Sequence, residues 1–183
     1  MTNQAALRAG LEVFTAELAR WGQRMNLVGS TEPAALARHV EDSLAAAAHL
    51  PPNSRVVDLG SGAGFPGIPI ALARPDLRFV LVEVREKRLA FLRHVARELA
   101  LSIEISGTSI ETPPSVGFDF ALLRAVAKPE RSAELALPWV VATGEIWVWA
   151  SATADLRGAR PLPLASGGRI LRVRAADFSR GTD

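Results

Sequence analysis

The sequence predicts one doubly wound α/β domain, and three observations predict it. Short apolar segments of strand length alternate with helical ones from residue 55 onward. A glycine-rich turn joins the first of these strands to the helix behind it. The length, 183 residues, fits one such domain with little left for a second core. Strands alternating with helices imply a mostly parallel sheet covered on both faces. The expected layout is a seven-stranded sheet core over residues 53–183, preceded by a helical extension over 1–52.

The extension reads as two helices. Leu7, Leu11, Phe14, Leu18 and Trp21 recur at steps of four and three and so share one face, with Gly22 to end the run. Pro33 suits the first turn of a second helix, with Ser30 or Thr31 as its cap, and the helix runs through Leu36, Val40 and Leu44 to Leu50. Pro51 and Pro52 close it. Strands then follow at 55–59, 78–82, 102–105, 119–123 and 145–150. Helices are expected from the glycine turn to about Ala73, over 86–99 and over 130–137, with Gly144 leading into the fifth strand. Leu162–Leu164 and Ile170–Val173 read as a closing hairpin.

Apolar residues make up 49% and charged residues 22%, a globular composition far from disorder. The pI of 9.9 contrasts with a formal net charge of only +2. With no Cys, no Tyr and only Lys87 and Lys128 as lysines, few groups titrate between the histidines and the arginines. A small positive excess therefore carries the pI far upward. The placement of charge says more. Arg85, Lys87, Arg88, Arg93 and Arg97 are opposed by Glu86 alone, and the arginines from Arg157 to Arg180 by Asp177 alone. Each segment reads either as a contact for a phosphate backbone or as a solvated face.

Several chemistries drop out. Without cysteine there are no disulfides, no thiolate metal sites and no cysteine nucleophile. His39, His49 and His94 are scattered and make no metal-ligand spacing. The N-terminus lacks signal-peptide order, and no uncharged apolar run reaches the roughly 20 residues that span a bilayer. A soluble, cytoplasmic, monomeric chain without metal or membrane is expected.

The chemistry lies in the loop of residues 58–69. Val56 and Val57 run into Asp58, then Leu59-Gly60-Ser61-Gly62-Ala63-Gly64-Phe65-Pro66-Gly67. Glycines let the backbone turn sharply and approach a ligand, and the next helix turns its free N–H groups to the same crevice. Two cofactor classes compete. A dinucleotide fingerprint wants G-x-G-x-x-G, but counting from Gly60 its last position is Phe65. A methyl-donor site fits better: Asp58 at the strand end can meet the amino acid part of the cofactor, while Gly60 and Gly62 leave room for its body. Glu83, at the tip of the second strand, is placed for ribose hydroxyls, a feature both classes share.

Over these residues the chain resembles the glucose-inhibited division protein B (RsmG) family. The run DLGSGAGFPGIPIALARPDLRFVLVE and the following KRLAFLRHVARELAL are similar to it. Upstream, Trp21 to Leu27 resembles the family's W-x(4)-N-L, and Arg38-His39-Val40-Glu41-Asp42-Ser43-Leu44 its R-H-x-x-D-S-L. Downstream, Arg124-Ala125-Val126-Ala127 is similar to its R-A-V-A. Leu123 stands where the family usually has a small polar residue, and Ala150-Ser151 where it often has Lys-Gly. The resemblance implies a Rossmann-like class I methyltransferase that uses S-adenosyl-L-methionine to methylate N7 of a guanine in 16S ribosomal RNA of the small ribosomal subunit. It implies cofactor contacts at Gly60, Phe65, Ile110, Glu111 and Arg124, beside Asp58, Gly62 and Glu83 from the residues themselves. Other readings stay open: a methyltransferase of a small molecule or protein, a non-catalytic relative that binds the cofactor, or a dehydrogenase.

An N7 target asks little of the protein. The atom carries an in-plane lone pair and no proton, so no general base is needed, in keeping with the lack of a triad or metal site. Arg124 is the candidate catalytic residue, positioning cofactor and guanine together; the competing reading is a salt bridge to Asp58 or Glu111. His39 and Asp42 lie three apart on one helix face, where a mutual hydrogen bond competes with a substrate-side role. Trp147 and Trp149 share one strand face, as packing or as a stacking platform for bases.

Overall fold

Two helices precede the first strand in the computed structural model, which describes residues 4–23, 25, 27–114 and 117–179. Arg24 and Asn26 of the Trp21 to Leu27 stretch, and Arg180 of the C-terminal basic segment, lie outside the described residues. Helix α1 (Gln4–Gly22) buries Phe14 and Leu18, four apart on one face. Helix α2 (Pro33–Ala47) opens on its proline, whose missing N–H is one that a first turn leaves unpaired anyway. The expected Ser30 or Thr31 cap is not made. Glu32 holds the N-cap position with no side-chain bond, and Ser30 Oγ accepts from the Glu32 amide at 3.2 Å. With proline removing one orphan donor, less remains for a cap to satisfy.

The sheet follows in chain order: β1 (Arg55–Leu59), α3 (Gly67–Ala73), β2 (Arg78–Val82), α4 (Glu86–Glu98), β3 (Glu104–Ser106), β4 (Phe118–Arg124) and α5 (Pro129–Ala136). A short 3-10 turn, Leu137–Trp139, leads to β5 (Val140–Ala150), β6 (Arg160–Pro163), β7 (Arg169–Arg174) and α6 (Ala175–Ser179). Seven strands lie in the order β3-β2-β1-β4-β5-β7-β6. The first five run parallel, and β7 pairs antiparallel with both β5 and β6. Because strand side chains alternate, Val56, Leu81 and Leu122 point into one core under α3 and α4, while Val57, Val82 and Ala121 point into another under α5 and α6. Helices α1 and α2 pack outside α3, with α1 also reaching α4. No described helix is long and apolar enough to cross a membrane.

Helix α2 ends at Ala47 rather than at Leu50, and three further elements depart from the sequence expectation. Strand β3 covers Glu104–Ser106 rather than 102–105, because this edge strand is fixed only by its register on β2, Val80 opposite Glu104. Strand β5 begins at Val140 and runs straight through Gly144, which had read as the lead-in. A register shift between Phe118 and Phe120 brings backbone close there: a Cβ on Gly144 would lie 2.8 Å from the Asp119 carbonyl. Helix α6 was not anticipated, since five residues are too few for a periodic signal.

Trp147 and Trp149 are packing. Trp147 is 1% exposed, sits edge-on to Phe120 and donates through Nε1 to Glu145 at 2.9 Å. A ring so enclosed is no platform for an incoming base. Trp147→Ala is expected to destabilise the fold by about 3–5 kcal/mol. Chemical denaturation checks this, and a loss below about 1 kcal/mol would contradict the core assignment.

Candidate active site

The strand order reverses between β1 and β4, since β1 continues outward through β2 while β4 continues through β5. Such a switch opens a crevice at the carboxyl ends of the two strands. The glycine loop descends into it. Amides of Gly60 and Ser61 both donate to the Val82 carbonyl, at 2.9 and 3.0 Å, and Gly62 sits at φ +57°, a conformation that side chains resist. Gly67 is required for another reason. A Cβ there would lie 2.6 Å from Asp58 Oδ2 and 2.4 Å from Leu81 Cδ2, so only glycine lets α3 start against β1.

Two buried acids brace the loop. Asp58 is 1% exposed; its Oδ2 accepts from the Gly67 amide at 3.1 Å while Oδ1 has no partner. Burial pushes the Asp58 carboxyl up to about 7, partly offset by the Gly67 amide and the Arg124 charge. Glu83 is spoken for more fully. Oε2 accepts from the Gly62 amide at 3.1 Å, Oε1 accepts from Val84 and Arg85 at 2.8 and 2.9 Å, and Arg88 Nη1 lies 3.5 Å away. Glu83 thus ties the glycine loop to the start of α4.

Above these acids lies a cavity of about 260 Å³ whose wall includes His39, Gly60, Gly62, Phe65, Arg88 and Arg124. The N-terminal extension supplies one side. His39 of α2 stacks at a tilt on Phe65, ring centroids 5.2 Å apart, and Phe14 of α1 meets the same ring edge-on at 5.1 Å. Arg124, at the end of β4, does not pair with Asp58 or Glu111 directly. Its Nη2 donates to His39 Nδ1 at 2.6 Å and to Asp42 Oδ2 at 3.3 Å. Arginine has only donors, so His39 Nδ1 is the bare nitrogen and the ring proton is on Nε2. Burial and then the Arg124 charge hold His39 below its ordinary value. His39 and Asp42 thus meet through the arginine.

Of the sequence candidates, the structure brings Gly60, Gly62, Phe65 and Arg124 together on the cavity wall, with Asp58 and Glu83 directly behind the loop. Ile110 and Glu111 stand apart. The Ile110 carbonyl accepts from Trp139 Nε1 at 2.7 Å, and Glu111 is exposed beyond β3. Sequence reasoning missed Arg88 and the Leu27–Gly29 linker as wall residues; a helix arginine in a basic run carries no mark of facing inward. A larger groove of about 830 Å³, between Arg55, Arg78, Phe118 and Trp139, contains none of the glycines or buried acids. The residues in and behind the smaller cavity suit S-adenosylmethionine: on its wall, bare glycine backbone for the cofactor's body and an arginine whose Nη1 has no partner; behind the loop, the buried Asp58 carboxylate, its Oδ1 unpartnered, for the cationic parts. Among the described residues no cluster suits a metal.

The family model for rRNA small subunit methyltransferase G (GidB) matches residues 8–161. Ribosomal RNA small subunit methyltransferase G of Nitrosospira multiformis is 46% identical over 64% of this chain, but the match spans only 56% of that relative's length. The protein of the same description from Hyphomonas neptunium is 36% identical over 89% of this chain and 84% of its own. Among solved structures, a mutant of MtNAS in complex with S-adenosylmethionine superimposes with a TM-score of 0.63 at 17% identity, covering 94% of this chain and 76% of the other. At that identity the likeness carries the fold, which is the class I methyltransferase fold.

Proposed function

Because this chain belongs to the rRNA small subunit methyltransferase G (GidB) family, we propose that it transfers the methyl group of S-adenosyl-L-methionine to N7 of a guanine in 16S ribosomal RNA. The observation that carries this reading is the convergence of Arg124, His39 and the glycine loop on one cavity at the sheet's switch point. The bound cofactor supplies an electrophilic methyl on a cationic sulfur. The protein's work is positioning, worth up to about 7–11 kcal/mol when partners are held near attack distance. Gly60 and Gly62 admit the cofactor body, and the Asp58 carboxylate faces its positive charge. Phe65, His39 and Leu27 keep water away. Arg124 aligns the guanine through its O6 edge. Guanine N7 bears no proton, so none has to be removed before attack, and His39, an imidazole on the cavity wall, is free to serve as the anchor for Arg124 rather than as a base. Ile110 and Glu111, on the loop after β3, are assigned to the adenine end by the family resemblance. The protein acts as a monomer, and a ribosomal substrate sets its place of action in the cytoplasm.

Exposed Lys87, Arg93 and Arg97 lie on α4 and exposed Arg85 at its N-cap; Arg88 links this helix to the cavity. They are suited to the RNA backbone. Labelled cofactor supplied to undermethylated small subunits and to free 16S RNA should yield N7-methylguanine at one position. RNA affinity should fall by orders of magnitude between about 50 and 200 mM salt. Methylation of a small molecule or protein in place of RNA, or an affinity indifferent to salt, would contradict the assignment.

A further inference from the structure

Among the described residues, five buried side-chain atoms have no hydrogen-bond partner. Three of them, Asp42 Oδ1, Asp58 Oδ1 and Arg124 Nη1, belong to Arg124, at the end of β4, and to the two acids whose charges act on it. Asp42 is 3% exposed and stands behind the cavity wall rather than on it. Its Oδ2 receives Arg124 Nη2 at 3.3 Å and, from the turn between β6 and β7, Ser166 Oγ at 3.0 Å. One carboxylate oxygen therefore joins α2, the end of β4 and the closing hairpin, 82 and 124 residues apart in sequence.

A buried ion pair is poor value as a stabiliser, since desolvation offsets most of the attraction and apolar packing does as well. Orientation is what such a pair provides. An arginine has a long, freely rotating stem, and the guanidinium is useful only when its plane is held. Here Nη2 is anchored twice, on Asp42 and on His39, while Nη1 is left without a partner.

We infer that Asp42, seconded by Ser166, is a positioning residue that sets the orientation of the Arg124 guanidinium at the cavity wall and touches neither cofactor nor guanine itself. The inference rests on the methyl transfer proposed above. It makes the C-terminal hairpin part of the active-site architecture, although no hairpin residue lines the cavity.

A double-mutant cycle on the full chain tests it, read out both as kcat and as affinity for S-adenosylhomocysteine by calorimetry. Asp42→Asn keeps the shape and removes the charge. It should lower kcat about tenfold while the RNA KM stays within about twofold. In an Arg124→Ala background the same change should cost less than about twofold in either readout, because the side chain it acts through is gone. Ser166→Ala, which removes one hydroxyl and no charge, carries the same cycle with a loss of about threefold should Asp42→Asn fail to fold. Independent losses that multiply in the double variants would overturn the inference and leave the proposed function standing. A wild-type chain that neither binds S-adenosylhomocysteine nor methylates RNA would overturn both.

Discussion

Binding of S-adenosylmethionine is expected to weaken about tenfold for each pH unit below 7, and Asp58→Asn to abolish that dependence. Asp58 is enclosed, and burial holds its proton up to about 7. On the function proposed above, S-adenosylmethionine brings an ammonium and a sulfonium to the crevice, and only an ionised Asp58 carboxylate would answer that charge. Below 7 each unit leaves a tenth as much of the anion. The same shift has the opposite sign for the empty protein. Unfolded, the carboxyl ionises near its ordinary value of 3.8; folded, it keeps the proton to about 7. Stability is therefore greatest below the ordinary value, declines as pH rises from about 4 to 7, and levels off above. Asp58→Asn should remove the decline, so the variant gains stability at pH 8 while losing cofactor affinity. Calorimetric titrations and urea melts at pH 5 and 8 measure the two arms. Affinity unchanged across that range would mean that Asp58 does not meet the cofactor's charge.

Arg124→Ala should lower kcat on the order of 100-fold, the scale of a misplaced reactant. The side chain is 18% exposed and compensates the buried Asp42, so truncation leaves a buried charge alone. A stability loss of about 3 kcal/mol should accompany the kinetic one. Arg124→Lys should restore much of the stability and little of the rate, because an ammonium cannot present the planar fork held between His39 and Asp42. Separate measurement of melting and turnover distinguishes these effects. An alanine variant with normal affinity and turnover would remove Arg124 from the chemistry altogether.

Legibility in the sequence followed the range of the forces involved. β1 and β2 were read to the residue, because short segments rich in valine and leucine, set beside glycine and proline, leave little choice. The glycine loop was equally clear, since its backbone demands are written in residue type. The edge strand β3 was displaced, and the start of β5 was hidden behind Gly144, because register and a bulge are set by neighbours distant in sequence. At the site, Asp58, Gly60 and Gly62 came from the local pattern, and Phe65 and Arg124 from the family resemblance. His39 and Asp42 carried a signal only in the R-H-x-x-D-S-L resemblance, and their meeting with Arg124 needed the fold. Ser166 had none: a serine in a hairpin turn looks like any turn residue until the chain closes on Asp42.

Phe14 and His39 both rest on Phe65, so two segments from outside the sheet upholster a chamber that the sheet alone would leave ajar. An engineer transplanting this chamber into another scaffold would have to carry the leading helices along with the glycine bend. Drift in those helices would reshape the chamber while every strand stayed as it was.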